Sequence, residues 1–292
     1  MTREGDGHPP RKQRPPGKGD LRSKIDRAVQ NAGRDPEHRG PSRPKRPPLR
    51  PATTTLWEYP SQHYDDSHGQ REQGSKDYVG ATPSWVIWQL LTRYTRENDV
   101  VVDPMCGSGT TLDVCRDLGR RAVGFDLNPQ RPEIARADAR EIPLDDESAD
   151  FVFIDPPYST HVDYSDDPDC IGKLDAGAPG DHGQMGEAYY GAMEEVIAEI
   201  HRVLRPGRFM GLYVSDSWRK NKGKGAGGGG VFMPIGFELF AILRDYLEPV
   251  DIVCVVRHNT KLNRGNWHKA AEEGNFFLRG FNYLLIARKP RG

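Results

Sequence analysis

The strongest constraint on the fold is an apolar run that passes through a glycine-rich turn into a helical pattern. The run Val100–Asp103 is rich in β-branched residues and ends in a carboxylate, as a buried strand does at the edge of a sheet. Gly107 and Gly109 follow in the turn, and apolar residues then recur at helical spacing at Leu112, Val114, Cys115 and Leu118. A strand that turns directly into a helix predicts an α/β fold.

The rest of the chain continues the alternation of strands and helices. The periodicity predicts helices over residues 83–95, 187–204 and 234–246, with Pro206 and Gly207 stopping the second. It predicts strands at 99–103, 121–126, 134–137, 150–154, 208–214, 250–257 and 280–288. Because no helical pattern clearly separates the last two strands, a long hairpin of these two strands is one expectation. We therefore expect a seven-stranded, mostly parallel sheet with helices on both faces.

A second unusual feature is the tetrapeptide Asp155, Pro156, Pro157 and Tyr158, which directly follows the apolar run Phe151–Ile154. It offers an acceptor oxygen, a rigid backbone carbonyl and a flat ring at the carboxyl edge of the sheet, where ligands bind in open α/β folds. These groups suit a planar ligand that carries an NH2 substituent. The alternative is a strand end whose prolines only stop the ladder and begin a turn.

The glycine turn differs from two better-known phosphate-binding loops. A P-loop requires a lysine that does not follow Gly109, and a dinucleotide fingerprint requires a third glycine where this chain has Leu112. Asp126 ends the next strand and is placed to hydrogen-bond ribose hydroxyls, while Asp138 follows another short apolar stretch and offers a carboxylate to an adenine amine. A nucleoside held without a pyrophosphate indicates S-adenosylmethionine as the cofactor.

These residues resemble a known family, the S-adenosylmethionine-dependent DNA amino methyltransferases, which modify adenine N6 or cytosine N4. The segment 103–111 (DPMCGSGTT) is similar to the family's cofactor loop, and DPPY is similar to its catalytic tetrapeptide. Segments 79–88 and 281–289 also resemble the family's helix before the loop and its last strand, so the resemblance covers roughly residues 75–290. It implies a Rossmann-like class I methyltransferase fold and DNA methylation of the restriction–modification type. The cofactor-binding residues that it implies are Asp103, Pro104, Cys106, Gly107, Gly109, Thr110, Asp126 and Asp138.

The proposed chemistry explains the choice of residues in the tetrapeptide. An exocyclic amine is a poor nucleophile because its lone pair is delocalised into the ring. Hydrogen bonds from that amine to the Asp155 carboxylate and the Pro156 carbonyl would localise the lone pair. In-line placement of the amine nitrogen and the sulfonium methyl would supply most of the remaining catalysis. Tyr158 would stack on a base that has left its duplex.

Several substrates remain open from the sequence. DPPY favours adenine N6 in DNA, with cytosine N4 in DNA and a base amine of RNA as alternatives, and a catalytically silent nucleic-acid-binding subunit as the remaining one. The gaps between the core strands are too short for a separate target-recognition domain of about 100 residues. A partner subunit for target recognition is therefore one expectation.

Two stretches combine basic and aromatic residues, as nucleic-acid-binding surfaces do. The candidates are Trp218, Arg219, Lys220 and Lys222 in the first stretch, and Arg264 and Trp267 in the second. A solvated flexible loop is the alternative for the first stretch. The Gly- and Asp-rich segment 159–185, with His161, Asp163 and Tyr164, either lines the pocket or forms a lid.

The cysteines and histidines predict no metal site. Cys106, Cys115, Cys170 and Cys254 lie too far apart for a CxxC site, and the nine histidines show no ligand spacing. None of the cysteines has the setting of the nucleophile that carbon-5 cytosine methylation needs. The sequence has no signal peptide and no apolar run long enough to span a membrane, so we expect a cytoplasmic enzyme without membrane contact.

The charge of the chain is distributed unevenly. Residues 1–50 carry 14 Lys and Arg against 6 Asp and Glu, whereas the remainder carries 27 against 36. The first fifty residues are also rich in Pro and Gly and poor in large apolar groups, which predicts a disordered tail with at most a short helix over residues 20–33. We expect this tail to be a basic arm that grips phosphates, or else a solubilising tail, ahead of a methyltransferase domain at 51–292.

Overall fold

The computed structural model describes residues 46–65, 73–75, 78, 80–220, 230–258, 262 and 265–291, without the side chains of His161, His182 and Lys220. Most of the predicted basic tail, including the expected helix over residues 20–33, lies outside these residues. Arg46–Gly292 forms one unit by its internal contacts. Its first residues contact the domain directly: the Tyr59 hydroxyl donates to the Pro47 carbonyl (2.8 Å), and Gln89 donates to the Arg50 carbonyl (2.7 Å).

The described residues form ten strands and five α-helices. The strands are β1 (Leu56–Trp57), β2 (Val100–Asp103), β3 (Arg121–Asp126), β4 (Ile134–Arg136), β5 (Ala149–Ile154), β6 (Leu204–Val214), β7 (Ser217–Lys220), β8 (Gly230–Met233), β9 (Glu248–Val256) and β10 (Phe281–Arg288). The helices are α1 (Ser84–Tyr94), α2 (Thr110–Asp117), α3 (Glu187–Val203), α4 (Ile235–Tyr246) and α5 (Gly265–Glu273).

Eight of these strands form a single sheet in the order β1-β9-β10-β6-β5-β2-β3-β4. Only β10 runs antiparallel to its neighbours, and the other pairs are parallel. The predicted mostly parallel sheet is confirmed, and all seven predicted strands are present. The eighth strand, β1, pairs only Leu56 and Trp57 with β9, and two residues are too few for a recognisable alternation.

Two apolar layers cover the sheet, which confirms helices on both faces. Strand β5 shows how the layers separate, because its side chains alternate between the faces. Val152 and Ile154 pack in the layer formed with α3 and α4, whereas Phe151 and Phe153 pack in the layer formed with α1 and α2. All four of these side chains are buried, so this central strand is held from both sides.

The structure adds elements where the sequence predicted loops. Ser217–Lys220 is a strand that pairs with β8, and Trp218 lies opposite Phe232 in this hairpin. The last two strands of the sheet pair antiparallel as expected, but α5 lies in their connection. Helix α5 has no buried residue, so it lacks the apolar stripe from which a helix is predicted in a sequence. Within the described residues, no helix is long and apolar enough to cross a membrane.

Candidate active site

A cleft opens at the carboxyl edge of the sheet, where β2, β3 and β5 end. We call it the central cleft. Parallel pairing of β2 with β3 and with β5 brings these ends together. Nine of the residues predicted for the site line the cleft: Asp103, Pro104, Cys106, Gly107, Thr110, Asp126, Asp138, Asp155 and Pro157. Gly109, Pro156 and Tyr158 are adjacent in the chain but are not part of the lining.

The turn after β2 requires glycine for two reasons. Gly107 and Gly109 have φ angles of 48° and 80°, in the left-handed region that side chains disfavour. A Cβ on Gly107 would also lie 2.9 Å from the hydroxyl oxygen of Tyr78, which is too close. Asp103 braces the same turn, because it accepts hydrogen bonds from the Thr111 hydroxyl (2.5 Å) and the Met105 amide (3.1 Å). The turn therefore has a fixed shape against the cleft.

Asp126 is held by the backbone around it. The amide of Gly107 donates to one carboxylate oxygen (2.8 Å), and the amide of Asn128 donates to the other (2.8 Å). Each carboxylate oxygen can accept a further hydrogen bond. The arrangement leaves Asp126 able to accept two hydroxyl donors from a ligand in the cleft.

Asp138 forms an ion pair with Arg140, whose guanidinium nitrogen lies 2.6 Å from a carboxylate oxygen. Burial works to raise the pKa of Asp138, but the hydrogen bonds and charge of Arg140 outweigh it, so the pKa lies below its usual value. Asp138 is thus an ionised acceptor at the wall of the cleft.

Both oxygens of Asp155 accept hydrogen bonds from side chains. The Thr82 hydroxyl donates to Oδ2 (2.5 Å), and the Tyr158 hydroxyl donates to Oδ1 (2.7 Å). Burial raises the pKa of Asp155 to about 7, although these two hydrogen bonds and the positive charge of Arg257 oppose the rise. The carboxylate is therefore a strong acceptor that is ionised only above neutral pH.

Asp103 behaves in a similar way. Its burial raises the pKa to about 7, against the hydrogen bonds that it accepts, and the charges of Asp126 and Asp155 raise it further. The cleft therefore concentrates carboxylates that carry full negative charge only above pH 7. Such a cleft favours a cationic ligand.

Tyr158 is held in place by packing and by hydrogen bonds. It is partly buried against the apolar layer that contains α3, and its hydroxyl oxygen accepts a hydrogen bond from Asn282 Nδ2 (3.2 Å). The neighbouring Pro157 carbonyl accepts a hydrogen bond from the Tyr189 hydroxyl (2.8 Å). The tetrapeptide is thus tied to β10 and to α3.

Sequence reasoning missed three residues of the site. Tyr78 covers the glycine turn, Thr82 bonds to Asp155, and Asn282 bonds to Tyr158. Tyr164, one of the residues suggested for the pocket, lines the cleft together with Ser165, Cys170 and Ile171. Thr82 and Asn282 both lie in segments that resembled the family, which is the signal that could have drawn attention to them.

The predicted nucleic-acid-binding residues that the structure describes are not part of the lining of the cleft. Trp218 is 49% exposed on β7, and its neighbour Arg219 is paired with Asp175 (3.3 Å). Trp267 lies on α5, and Lys220 ends β7. Lys222 and Arg264 fall outside the described residues.

The cysteines are not arranged for nucleophilic or metal chemistry in the described residues. Cys106 and Cys170 line the cleft and are buried. Burial raises the pKa of the Cys106 thiol, with the Asp103 charge adding to the rise, so the thiol stays protonated. No group of three His, Cys, Asp or Glu that could hold a metal ion occurs among the described residues.

Comparison with known proteins finds a family model and curated relatives that match part of the chain. Residues 18–137 match the family model of DNA methylases, a match that includes the glycine turn and ends before Asp155. The Type II methyltransferase M.HpaI of Haemophilus parainfluenzae is 29% identical over 83 residues, which are 28% of this chain and 24% of the relative. The Type II methyltransferase M.HinfI of Haemophilus influenzae is 32% identical over 71 residues, 24% of this chain and 20% of the relative.

These matches support a likeness to the DNA amino methyltransferase family over less than half of the chain. A third relative, the Type II methyltransferase M.BamHI of Bacillus amyloliquefaciens, is 51% identical over 39 residues, 13% of this chain and 9% of the relative. The chain therefore aligns with only about a quarter or less of the length of these curated relatives.

Solved structures resemble this chain at low sequence identity. An S-adenosylmethionine-dependent methyltransferase of Methanosarcina mazei has a TM-score of 0.43 and 16% identity, over 70% of this chain and 98% of that one. A Thermus thermophilus protein assigned as a DNA modification methylase, solved with S-adenosylmethionine, has a TM-score of 0.37 and 21% identity. The match covers 53% of this chain and 54% of that one.

Proposed function

We propose that this protein is a DNA amino methyltransferase that transfers a methyl group from S-adenosylmethionine to an exocyclic amine of DNA, with adenine N6 as the target. One observation carries the proposal. A partly buried carboxylate, Asp155, is held by two donors in the lining of a cleft that also contains a glycine turn and a backbone-anchored acid, Asp126. Asp155 with its two donors suits a substrate amine, whereas the glycine turn and Asp126 suit a nucleoside cofactor.

The residues of the central cleft fit S-adenosylmethionine. Asp126 would accept the ribose hydroxyls, Asp138 would accept the adenine amine, and the glycine turn would lie against the cofactor because no side chain intervenes at Gly107. The cofactor brings a sulfonium cation, which carboxylates in the cleft favour, and supplies an electrophilic methyl group. Pro104, Cys106 and Thr110 complete the wall, and Gly109 shapes the turn behind it.

Asp155 would activate the amine by accepting its hydrogen bond. Each carboxylate oxygen has two acceptor positions, and Thr82 and Tyr158 each use one, so positions remain for the substrate. The Pro156 carbonyl is proposed as the second acceptor. The ring of Tyr158, fixed at its hydroxyl by two hydrogen bonds, is proposed as the stacking surface for the base.

DNA is the proposed polymer because the matching family model is that of DNA methylases and the curated relatives are Type II methyltransferases. Adenine is favoured over cytosine because the tetrapeptide begins with Asp. DNA contact is proposed for the residues Trp218, Arg219, Lys220, Lys222, Arg264 and Trp267, and for the basic tail over residues 1–50. A partner subunit remains the proposed source of target recognition, and the cytoplasm is the proposed location.

Nucleoside mass spectrometry tests this proposal. Purified protein is incubated with S-adenosylmethionine and either duplex DNA, single-stranded DNA or RNA, alongside an Asp155→Ala variant. We expect N6-methyladenine in DNA, lost in the variant, while the affinity for S-adenosylmethionine in calorimetry stays nearly unchanged. Detection of N4-methylcytosine would show that cytosine, not adenine, is the target base. Methylation of RNA alone would overturn the DNA assignment. A variant that retains activity would remove Asp155 from the mechanism.

A further inference from the structure

A chain of hydrogen bonds links the tetrapeptide to two distant parts of the protein. Asn282 Nδ2 donates to the Tyr158 hydroxyl oxygen (3.2 Å), and that hydroxyl donates to Asp155 Oδ1 (2.7 Å). On the other side, the Thr82 hydroxyl donates to Asp155 Oδ2 (2.5 Å). Thr82 lies just ahead of α1, separated from it by one proline, and Asn282 is the second residue of β10. Two distant segments are thus connected to one carboxylate, Thr82 directly and Asn282 through Tyr158.

The direction of these hydrogen bonds follows from the chemistry of the groups. An amide nitrogen only donates, so the Tyr158 oxygen acts as an acceptor toward Asn282. Its single proton is then available to Asp155. Burial and the Asp155 charge raise the pKa of Tyr158 well above its usual value, so this proton is retained. The network therefore keeps both Asp155 oxygens in the acceptor role.

Asn282 is an unusual residue for its surroundings. It is 5% exposed on a strand whose neighbouring positions are apolar, and its Oδ1 atom is buried without a hydrogen-bond partner in the described part of the chain. A buried acceptor that lacks a partner costs stability. An apolar side chain would avoid that cost, so the amide is better explained by its contact with Tyr158 than by packing.

We propose that Thr82 and Asn282 are positioning residues, which hold the Asp155 carboxylate in the orientation and charge state that accepts the target amine. Thr82 acts directly on Asp155, and Asn282 acts through Tyr158. This inference rests on the proposed function. It goes beyond that function because neither residue belongs to the glycine turn or to the tetrapeptide.

The network must also work against burial, which favours the neutral form of Asp155. Removing the Thr82 hydroxyl removes a donor that stabilises the charged form, so the acid limb of the rate profile moves to higher pH. The charged and titratable groups that face Asp155 are Arg257, Asp103, Tyr78, Tyr158, Tyr164, Tyr189 and Tyr213. Burial raises the pKa of each of these tyrosines, so they stay neutral near pH 7. Arg257 and Asp103 are present in every variant, so a comparison of variants isolates the effect of Thr82.

The test is the pH dependence of methyl transfer in the full chain at saturating DNA and S-adenosylmethionine. The variants are Thr82→Val, Thr82→Ser and Asn282→Leu. Thr92→Val is the matched control, because the Thr92 hydroxyl on α1 is buried and has no hydrogen-bond partner among the described residues. We expect Thr82→Val to reduce kcat about tenfold at pH 6.5 and much less at pH 8.5, as one lost donor to the carboxylate implies.

The other variants give the remaining expectations. Thr82→Ser restores most of the wild-type profile because it keeps the hydroxyl, and Thr92→Val leaves the profile unchanged. Asn282→Leu lowers kcat several-fold with little change in KM, because the Tyr158 proton is no longer directed toward Asp155. Superimposable profiles for Thr82→Val and wild type, or equal losses for the Val and Ser variants, would overturn the proposal.

A second measurement does not depend on the substrate. In protein labelled with ¹³C at the aspartate carboxyls, the Asp155 signal is assigned by its loss in Asp155→Asn. Thr82→Val should raise its titration midpoint, whereas Thr92→Val should not. If the wild-type chain methylates no DNA, the proposed function fails, but this titration still decides whether the network controls Asp155. An unmoved midpoint would refute the network itself.

Discussion

Asp155 determines at which pH the proposed reaction can run. The amine must donate to an ionised carboxylate, and burial raises the pKa of Asp155 to about 7. The reactive form is therefore lost as pH falls through about 7. We expect kcat to decline about tenfold per pH unit below pH 6 and to level off above pH 8. Rates measured from pH 5.5 to 9 check this, and a constant rate across that range would contradict the assigned role.

The same raised pKa makes Asp155 costly to the folded state. Between its ordinary pKa of 3.8 and about 7, the folded protein binds the proton more tightly than the unfolded chain, so this group's contribution to stability falls as pH rises through that window. Asp155→Asn removes the buried charge and should be stabilising at pH 8. Because the Asp155 residue is only partly buried, we expect about 1–2 kcal/mol rather than the full linkage value.

This gain corresponds to a rise in Tm of roughly 2–8 °C for a domain of this size, together with loss of methyl transfer. Thermal unfolding at pH 8 and at pH 5 provides the measurement. The difference between variant and wild type should shrink at pH 5, where Asp155 is protonated in the folded wild type. A lower Tm for Asp155→Asn at pH 8 would contradict the argument.

Gly107 gives a residue-scale prediction for cofactor binding. Alanine there would place its Cβ 2.9 Å from the Tyr78 hydroxyl oxygen, at a φ of 48° that alanine disfavours by roughly 1–2 kcal/mol. We expect Gly107→Ala to weaken S-adenosylmethionine binding at least about tenfold in calorimetry. The control is Gly191→Ala on α3, where a Cβ meets no atom within 4 Å and alanine favours the helix. Equal affinities of the two variants for S-adenosylmethionine would show that the turn is not part of the cofactor site.

At the scale of elements, the β7–β8 hairpin has a surface that suits a nucleic acid. Trp218 is half-exposed opposite Phe232, and the Arg279 guanidinium lies 4.8 Å from the centre of the Phe232 ring. Exposed rings beside a cation offer stacking surfaces for unpaired bases.

We expect Trp218→Ala to weaken DNA binding at least about fivefold, as the loss of one stacked base implies, while the affinity for S-adenosylmethionine is unchanged. Fluorescence anisotropy with labelled DNA measures the effect. Leu56→Ala, a truncation of an exposed apolar residue on β1, is the control and should have no effect. Equal DNA affinity for the Trp218 variant and wild type would exclude the hairpin from the interface.

At the scale of the whole molecule, the question is what residues 1–45 add to the unit that begins at Arg46. These residues carry 12 Lys and Arg against 6 Asp and Glu, a net charge of +6. A chain that starts at Arg46 should keep its affinity for S-adenosylmethionine, because every cleft-lining residue follows Arg46. Its DNA affinity should fall at low salt, and the dependence of that affinity on salt should become shallower. An unchanged salt dependence would show that the tail does not contact phosphates.

The sequence by itself determined the class of fold and most of the cleft. The run Val100–Asp103 with its glycines, and the run before Asp155, are local patterns of burial and turn chemistry, and each predicts a strand that ends in a functional carboxylate. The structure shows that β2 and β5 are neighbours, which brings their two carboxylates to the same cleft. Elements without an apolar stripe, such as α5, escaped prediction because local periodicity is the only signal that a sequence offers for them.

The tertiary structure alone shows which distant side chains form hydrogen bonds with Asp155 and Tyr158. Thr82 lies 73 residues from Asp155 in the chain, and Asn282 lies 124 residues from Tyr158. Their contacts depend on strand order, because β10 lies between β9 and β6 and so brings a residue from the end of the chain to the tetrapeptide. The raised pKa of Asp155 has the same origin, since burial is created by packing from both sides of the sheet. Periodicity reports which residues become buried, whereas hydrogen bonds between distant residues exist only once the chain has folded.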